Sequence, residues 1–183
     1  MDLLCSVGDF SNFCKLISAS GLDVFFSPIA NNPLTVFVPQ NEAFEALEGN
    51  LDHDYDSLTT EESAHLLLSH VIFNECRPFA YGDLECGETT ERANGDIVRT
   101  KCTKEGDKFQ KGPKQMDDML AKIVLHNIDV CNGKVLVVDN VILPNFDKMA
   151  WHDIIRNNRQ STNMLRAKRK EDREGSSTHH ESL

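Results

Sequence analysis

Two β-branched runs, KIVLHNIDV and KVLVVDNVIL, flank Asn132-Gly133. Asn-Gly readily supplies the positive-φ residues of a tight reversal, and the Val, Ile and Leu on either side favour extended chain. The pattern predicts an antiparallel hairpin. Pro144, with no N–H to give a ladder, is expected to end its second strand.

A second corner is written into TVFVPQNEAFEAL, residues 35–47. Thr35, Val36, Phe37 and Val38 favour a strand, and Pro39 stops it. Asn41 is placed to cap a helix that carries Phe44 and Leu47 on one face. In DFSNFCKLISASGL, residues Phe10, Phe13, Leu16 and Ile17 recur at helical spacing, with Asp9 as the expected N-cap and Gly21 as the stop. In LTTEESAHLLLSHVI, Thr59 and Glu62 form a capping box ahead of a helix lined by Ala64, Leu67, Leu68 and Val71. His70 falls within that apolar stripe, so it is expected to be buried and hydrogen-bonded to backbone. Glu75 to Gly112 is polar and turn-rich, with the β-like piece DIVRTKC and a turn at Asn94-Gly95.

The chain has 183 residues, 40% of them apolar, which suits one domain with an appendage. No apolar run approaches the roughly 20 residues of a membrane span. A net charge of −10 argues against nucleic acid as a partner. The acid is uneven: Glu42 to Glu62 holds eight Asp or Glu and no Lys or Arg. DKMAWHDIIRNNRQ reads as one amphipathic helix. Arg166 to Leu183 has a single leucine and no aromatic residue, too little to order it.

Signatures of chemistry are missing. There is no G-x-G-x-x-G, G-x-x-x-x-G-K, G-x-S-x-G or H-E-x-x-H, and no N-x-S/T sequon. No cofactor is expected. Asp52, Asp54 and Asp56 match the first ligands of an EF-hand loop, but Ser57 stands where its glycine should be and Ser63 where its bidentate Glu should be. His65 and His70 lie about 140° apart around a helix, wrong for a shared metal.

Six cysteines (Cys5, Cys14, Cys76, Cys86, Cys102 and Cys131) include no C-x-x-C pair. An even, spread-out set reads as disulfides and so as an oxidising compartment. Fifteen pairings are open. The opening MDLLCSVGDF has neither the charged nor the long apolar region of a secretory signal. The expectation is a removed signal or a piece of a longer protein.

TVFVPQNEAFEAL resembles the first signature of fasciclin-like domains, and NGKVLVVDNVILP their second, with HLLLSHVI between them like the family's central helix. The resemblance runs from Leu3 to Phe146. It implies an α+β fold, a wedge of β-sandwich-like strands with helices packed on one side. It divides the chain into a domain over 1–147, a helical extension or linker over 148–163 and a charged tail over 164–183. Departures are local. Val38, Gln40, Lys134 and Leu136 replace the usual Ala, Thr, Val and His, and Ser69 stands where the family's tyrosine precedes His70. Asn127-Ile128 stands for an Asp-Ile pair linked to integrin contact, and the missing carboxylate removes a metal-bridging group.

The function implied is an extracellular or cell-surface adhesion or matrix module without catalysis. Its partners would be surface or matrix proteins or glycans, met by a surface patch, with tandem or homotypic association open to it. His70, Asn127 and Ile128 are its candidate binding residues. Cys76–Cys86 would close a short loop and Cys102–Cys131 would join two strand ends. Cys5–Cys14 needs the chain to turn, since nine residues of straight helix span ~13 Å. Two rivals stand beside this reading: a thiol-dependent enzyme pairing a cysteine with a histidine, and a passive spacer in a tandem array.

Overall fold

The computed structural model describes residues 5–6, 8–26, 33–48, 57–74, 76–130 and 133–146. These all fall in one unit, Met1–Asp147. The 148–163 extension, the 164–183 tail, Asp52, Asp54, Asp56 and Cys131 lie outside the described residues. Three helices are described, α1 (Ser11–Ser20), α2 (Asn41–Glu48) and α3 (Thr60–Leu68). The strands are β1 (Leu34–Pro39), β2 (Val71–Phe73), β3 (Thr89–Glu91), β4 (Ile97–Cys102), β5 (Lys108–Lys111), β6 (Ala121–Val130) and β7 (Gly133–Val138).

They form one sheet in the order β2-β1-β7-β6-β5-β4-β3. β1 and β7 run parallel, and every other neighbouring pair is antiparallel. Because β1 and β7 are buried on both faces, residues 36–38 and 135–138 run apolar without alternation, with Thr35 and Lys134 the polar exceptions at their starts. Leu34, Val36, Val38, Val135 and Val137 face the helices, packing with Phe13, Phe44 and Leu67. Phe37, Leu136 and Val138 face away and pack with Val98 of β4 and Ile123 of β6. Strands near one end of the order thus fold back over its middle, and the sheet curls toward a barrel. The architecture is α+β, with the helices on one face.

The proline corner forms as expected. Pro39 ends β1 while pairing with Val138, and α2 starts at Asn41. Asn41, however, serves a different helix. Its Oδ1 accepts the Asn12 N–H of α1 at 3.0 Å, and its Nδ2 donates to the Gly8 carbonyl at 2.8 Å. The residue preceding α1 is Phe10, which makes no side-chain cap, so the expected Asp9 cap gives way to a cap borrowed from α2. Gly21 closes α1 at φ 66°, as its position predicts.

Thr59 and Glu62 make the reciprocal capping box of α3. The helix ends at Leu68, earlier than the apolar stripe suggests. Ser69 and His70 form a turn, and Val71 opens β2 instead of lining the helix. The second hairpin strand is also shorter than expected, ending at Val138 rather than at Pro144. Past it, Val141 and Ile142 stay buried, but the Ile142 N–H goes to a side chain, the ring of His70.

Two disulfides are present among the described residues. Cys5 and Cys14 bond with their Cα atoms 5.8 Å apart, the short 3₁₀ turn Gly8–Phe10 supplying the required reversal. Cys86 bonds to Cys102, in place of the expected Cys76–Cys86 and Cys102–Cys131. The reason is register: the β3–β4 ladder pairs Thr89 with Arg99, and three residues further it sets Cys86 opposite Cys102. Their Cα atoms are 5.6 Å apart, within reach of a bond. Cys76 is free and exposed.

Candidate functional site

β6 begins as a regular strand, with Ala121 and Ile123 turned inward. Its register against β7 then slips twice, from Ile123↔Val138 to Leu125↔Val137 to Ile128↔Val135. Each slip adds a residue to β6 and turns the strand. Ile123 packs into the second core, whereas Ile128 packs against the helix-side core. The residues between are displaced to the surface: Val124 is 45% exposed and Leu125 54%.

Asn127 sits in this bulge at φ 59°, the left-handed region that asparagine tolerates better than most residues. Its side-chain oxygen accepts the Tyr81 N–H at 2.9 Å. Tyr81 stacks on His126 with ring centroids 4.1 Å apart and planes 17° from parallel. The Lys108 ammonium lies 4.5 Å from the Tyr81 ring centroid and donates to the Tyr81 carbonyl at 2.8 Å, while the Tyr81 hydroxyl donates to the Gly106 carbonyl at 3.1 Å. Tyr81 therefore ties three stretches of chain under one surface. Alternation predicts Asp129 on the face of Asn127, and the Asp129 carboxylate pairs with Lys134 across the ladder.

His70 lies elsewhere. It is fully buried against Phe13, with ring centroids 6.1 Å apart. Nδ1 lies 2.8 Å from the Leu66 carbonyl and Nε2 accepts the Ile142 N–H at 2.9 Å, which assigns the neutral Nδ1–H tautomer. Burial pushes its pKa down to about 4. His70 thus joins the end of α3 to the segment after β7 and reaches no surface. Asn127 and Ile128 are adjacent in the bulge; His70 is not part of that surface.

His65 is buried as well, with Nε2 3.2 Å from the Asn145 carbonyl. Burial lowers its pKa, against the opposing pull of that carbonyl and of Asp96. A thiol mechanism would need a thiolate beside a base. Four of the described cysteines are bonded, and both of these histidines belong to the core. Among the described residues, no His, Cys, Asp and Glu cluster could hold a metal, and no helix is long and apolar enough to cross a membrane.

The sequence reading missed Tyr81, His126 and Lys108, because their association depends on β6 register rather than on local spacing. It also missed Arg92, whose buried guanidinium lies 4.2 Å over the Phe37 ring and donates to Gln110 at 2.5 Å. Burial lowers its pKa to about 9.

The family model that describes the fasciclin domain matches residues 8–144. Fasciclin-like arabinogalactan protein CTB11 of Cercospora beticola is 26% identical over 142 residues, covering 77% of this chain and 33% of that protein. The uncharacterized protein sll1735 of Synechocystis sp. is 29% identical over 136 residues, covering 73% of this chain and 89% of that protein. Among solved structures, a FAS1 domain pair from the insect cell adhesion molecule Fasciclin I superposes with a TM-score of 0.53 at 16% identity, over 74% of this chain and 45% of that one. The chain therefore spans about a third of the fungal relative and under half of the insect structure.

Proposed function

The chain belongs to the fasciclin-domain family, and on that premise we propose that it acts outside the cell as a non-enzymatic adhesion or matrix-contact module. The observation that carries the reading is the doubly bulged outer part of β6, which presents Leu125, Val124 and the Tyr81–His126 stack on a fixed support. Exposed apolar side chains beside an aromatic pair are what a protein partner buries at the centre of an interface. The bulge residue Asn127 carries no charge to bridge a metal, so contact here runs through shape and hydrogen bonds. The two disulfides fit an oxidising compartment.

The test is cell attachment to surfaces coated with the secreted protein, disulfides intact. Leu125→Asp is expected to abolish attachment while leaving the thermal midpoint unchanged, since the side chain is mostly exposed. Equal attachment to both proteins would remove this surface from the reading. If no cells attach to either, the passive spacer becomes the better account.

A further inference from the structure

The outward face of β4–β6 is basic, in a chain whose net charge is −10. Between Arg99 and Lys122 lie seven Lys or Arg against four Asp or Glu. Register sorts them. Thr100, Gln110 and Ala121 point inward and are almost wholly buried, so the residues alternating with them point out. One row across the sheet is Arg99–Lys111, and the next is Lys101–Phe109–Lys122. Four cations thus share this face with one half-buried phenyl ring, and the Lys122 ammonium lies 5.9 Å from its centroid.

The cations are already arranged around anionic oxygens. Lys101 and Lys111 both donate to Oδ1 of Asp117 at 2.7 Å, and Lys122 donates to Asp107 at 2.7 Å. Asp117 is 72% exposed and Asp107 46%. Ion pairs this open are worth little, so an incoming anion displaces them at small cost. The two carboxylates mark where acidic groups of a ligand would sit. Lys101 on β4 and Lys122 on β6 are two strand spacings apart, about 10 Å, roughly the length of a disaccharide, with Phe109 between them to meet the apolar face of a sugar. The Cys86–Cys102 bond holds the end of β4 to the stretch before β3.

We propose that this face binds an acidic polysaccharide, its carboxylate or sulfate groups replacing Asp117 and Asp107 and a sugar ring resting on Phe109. Among the five outward residues named, Phe109 is the one aromatic ring, enough to meet a single sugar but not to stack successive bases, which favours a polysaccharide over a single-stranded nucleic acid. This face adjoins the β6 surface, Lys122 standing two residues before Val124, but it rests on different observations and does not depend on the adhesion reading.

The test uses the full chain with disulfides intact, titrated with heparin, uncharged dextran and a single-stranded DNA oligonucleotide. Heparin is expected to bind, weakening as salt rises, and dextran not to bind. Lys101→Glu with Lys122→Glu should weaken heparin binding by at least about tenfold. Asp107→Asn with Asp117→Asn should strengthen it, a gain that a misfolded protein would not give. The proposal is overturned if heparin fails to bind, if the lysine variants bind it unchanged, or if DNA binds as tightly.

Discussion

Asn41 illustrates how one side chain can serve a neighbour in space rather than in sequence. Its oxygen accepts the Asn12 N–H near the start of α1, and its nitrogen reaches Gly8. Asn41→Ala should therefore destabilise the fold by about 1–2 kcal/mol through α1 rather than α2, seen as faster amide exchange at the start of α1. His70 makes a comparable link, with a consequence for pH. Its folded pKa of about 4 lies below the ordinary 6.5, so on acidification the unfolded chain takes the proton first. Stability is full above pH 6.5 and drains away as pH falls toward 4. The loss is about 2 kcal/mol by pH 5. Denaturant midpoints between pH 7 and 5 should show it, and His70→Gln should flatten the slope, leaving the part due to His65. Local signals, such as the Pro39 stop, the Thr59–Glu62 box and Gly21, are legible because cause and effect sit within a few residues. The Asn12–Asn41 and His70–Ile142 contacts are not, because each joins stretches far apart along the chain.

Among the elements, β3 and β4 show what register decides. DIVRTKC and Asn94-Gly95 reveal the turn and β4, yet the disulfide partner becomes clear only once Thr89 is known to face Arg99. Removing the bond with Cys86→Ser and Cys102→Ser should cost about 3 kcal/mol, and non-reducing peptide mapping should recover the 86–102 link. Cys76→Ser should leave stability unchanged, since that thiol is free and exposed. β6 teaches the same lesson in a harder form. KIVLHNIDV reads as an even strand, and its alternation fits until Ile123. Nothing in its local pattern gives away the two slips that expose Leu125 and turn Asn127 left-handed. The family resemblance points to Asn127 and Ile128 in this stretch and gives no sign of Leu125 or of the Tyr81–His126 stack.

At the scale of the whole molecule, the sheet is joined at β1 and β7 by two strands far apart along the chain. Leu34 on β1 pairs with Gly133 on β7 so closely that a methyl group on Gly133 would strike the Leu34 carbonyl. Backbone cannot yield there as a flexible side chain would. Gly133→Ala should cost about 2–3 kcal/mol, read by chemical denaturation. Gly82→Ala, with open space around the added carbon, should change stability by less than about 0.5 kcal/mol. The parallel β1–β7 pair also imposes an order on synthesis. β1 emerges from the ribosome roughly 100 residues before its partner, and at about 5–20 residues per second that interval lasts roughly 5–20 s. Throughout it, the apolar faces of Val36, Phe37 and Val38 lack the strand that covers them. A newly made chain must be kept from sticking to others until β7 arrives, so its yield depends on the company it keeps while being made.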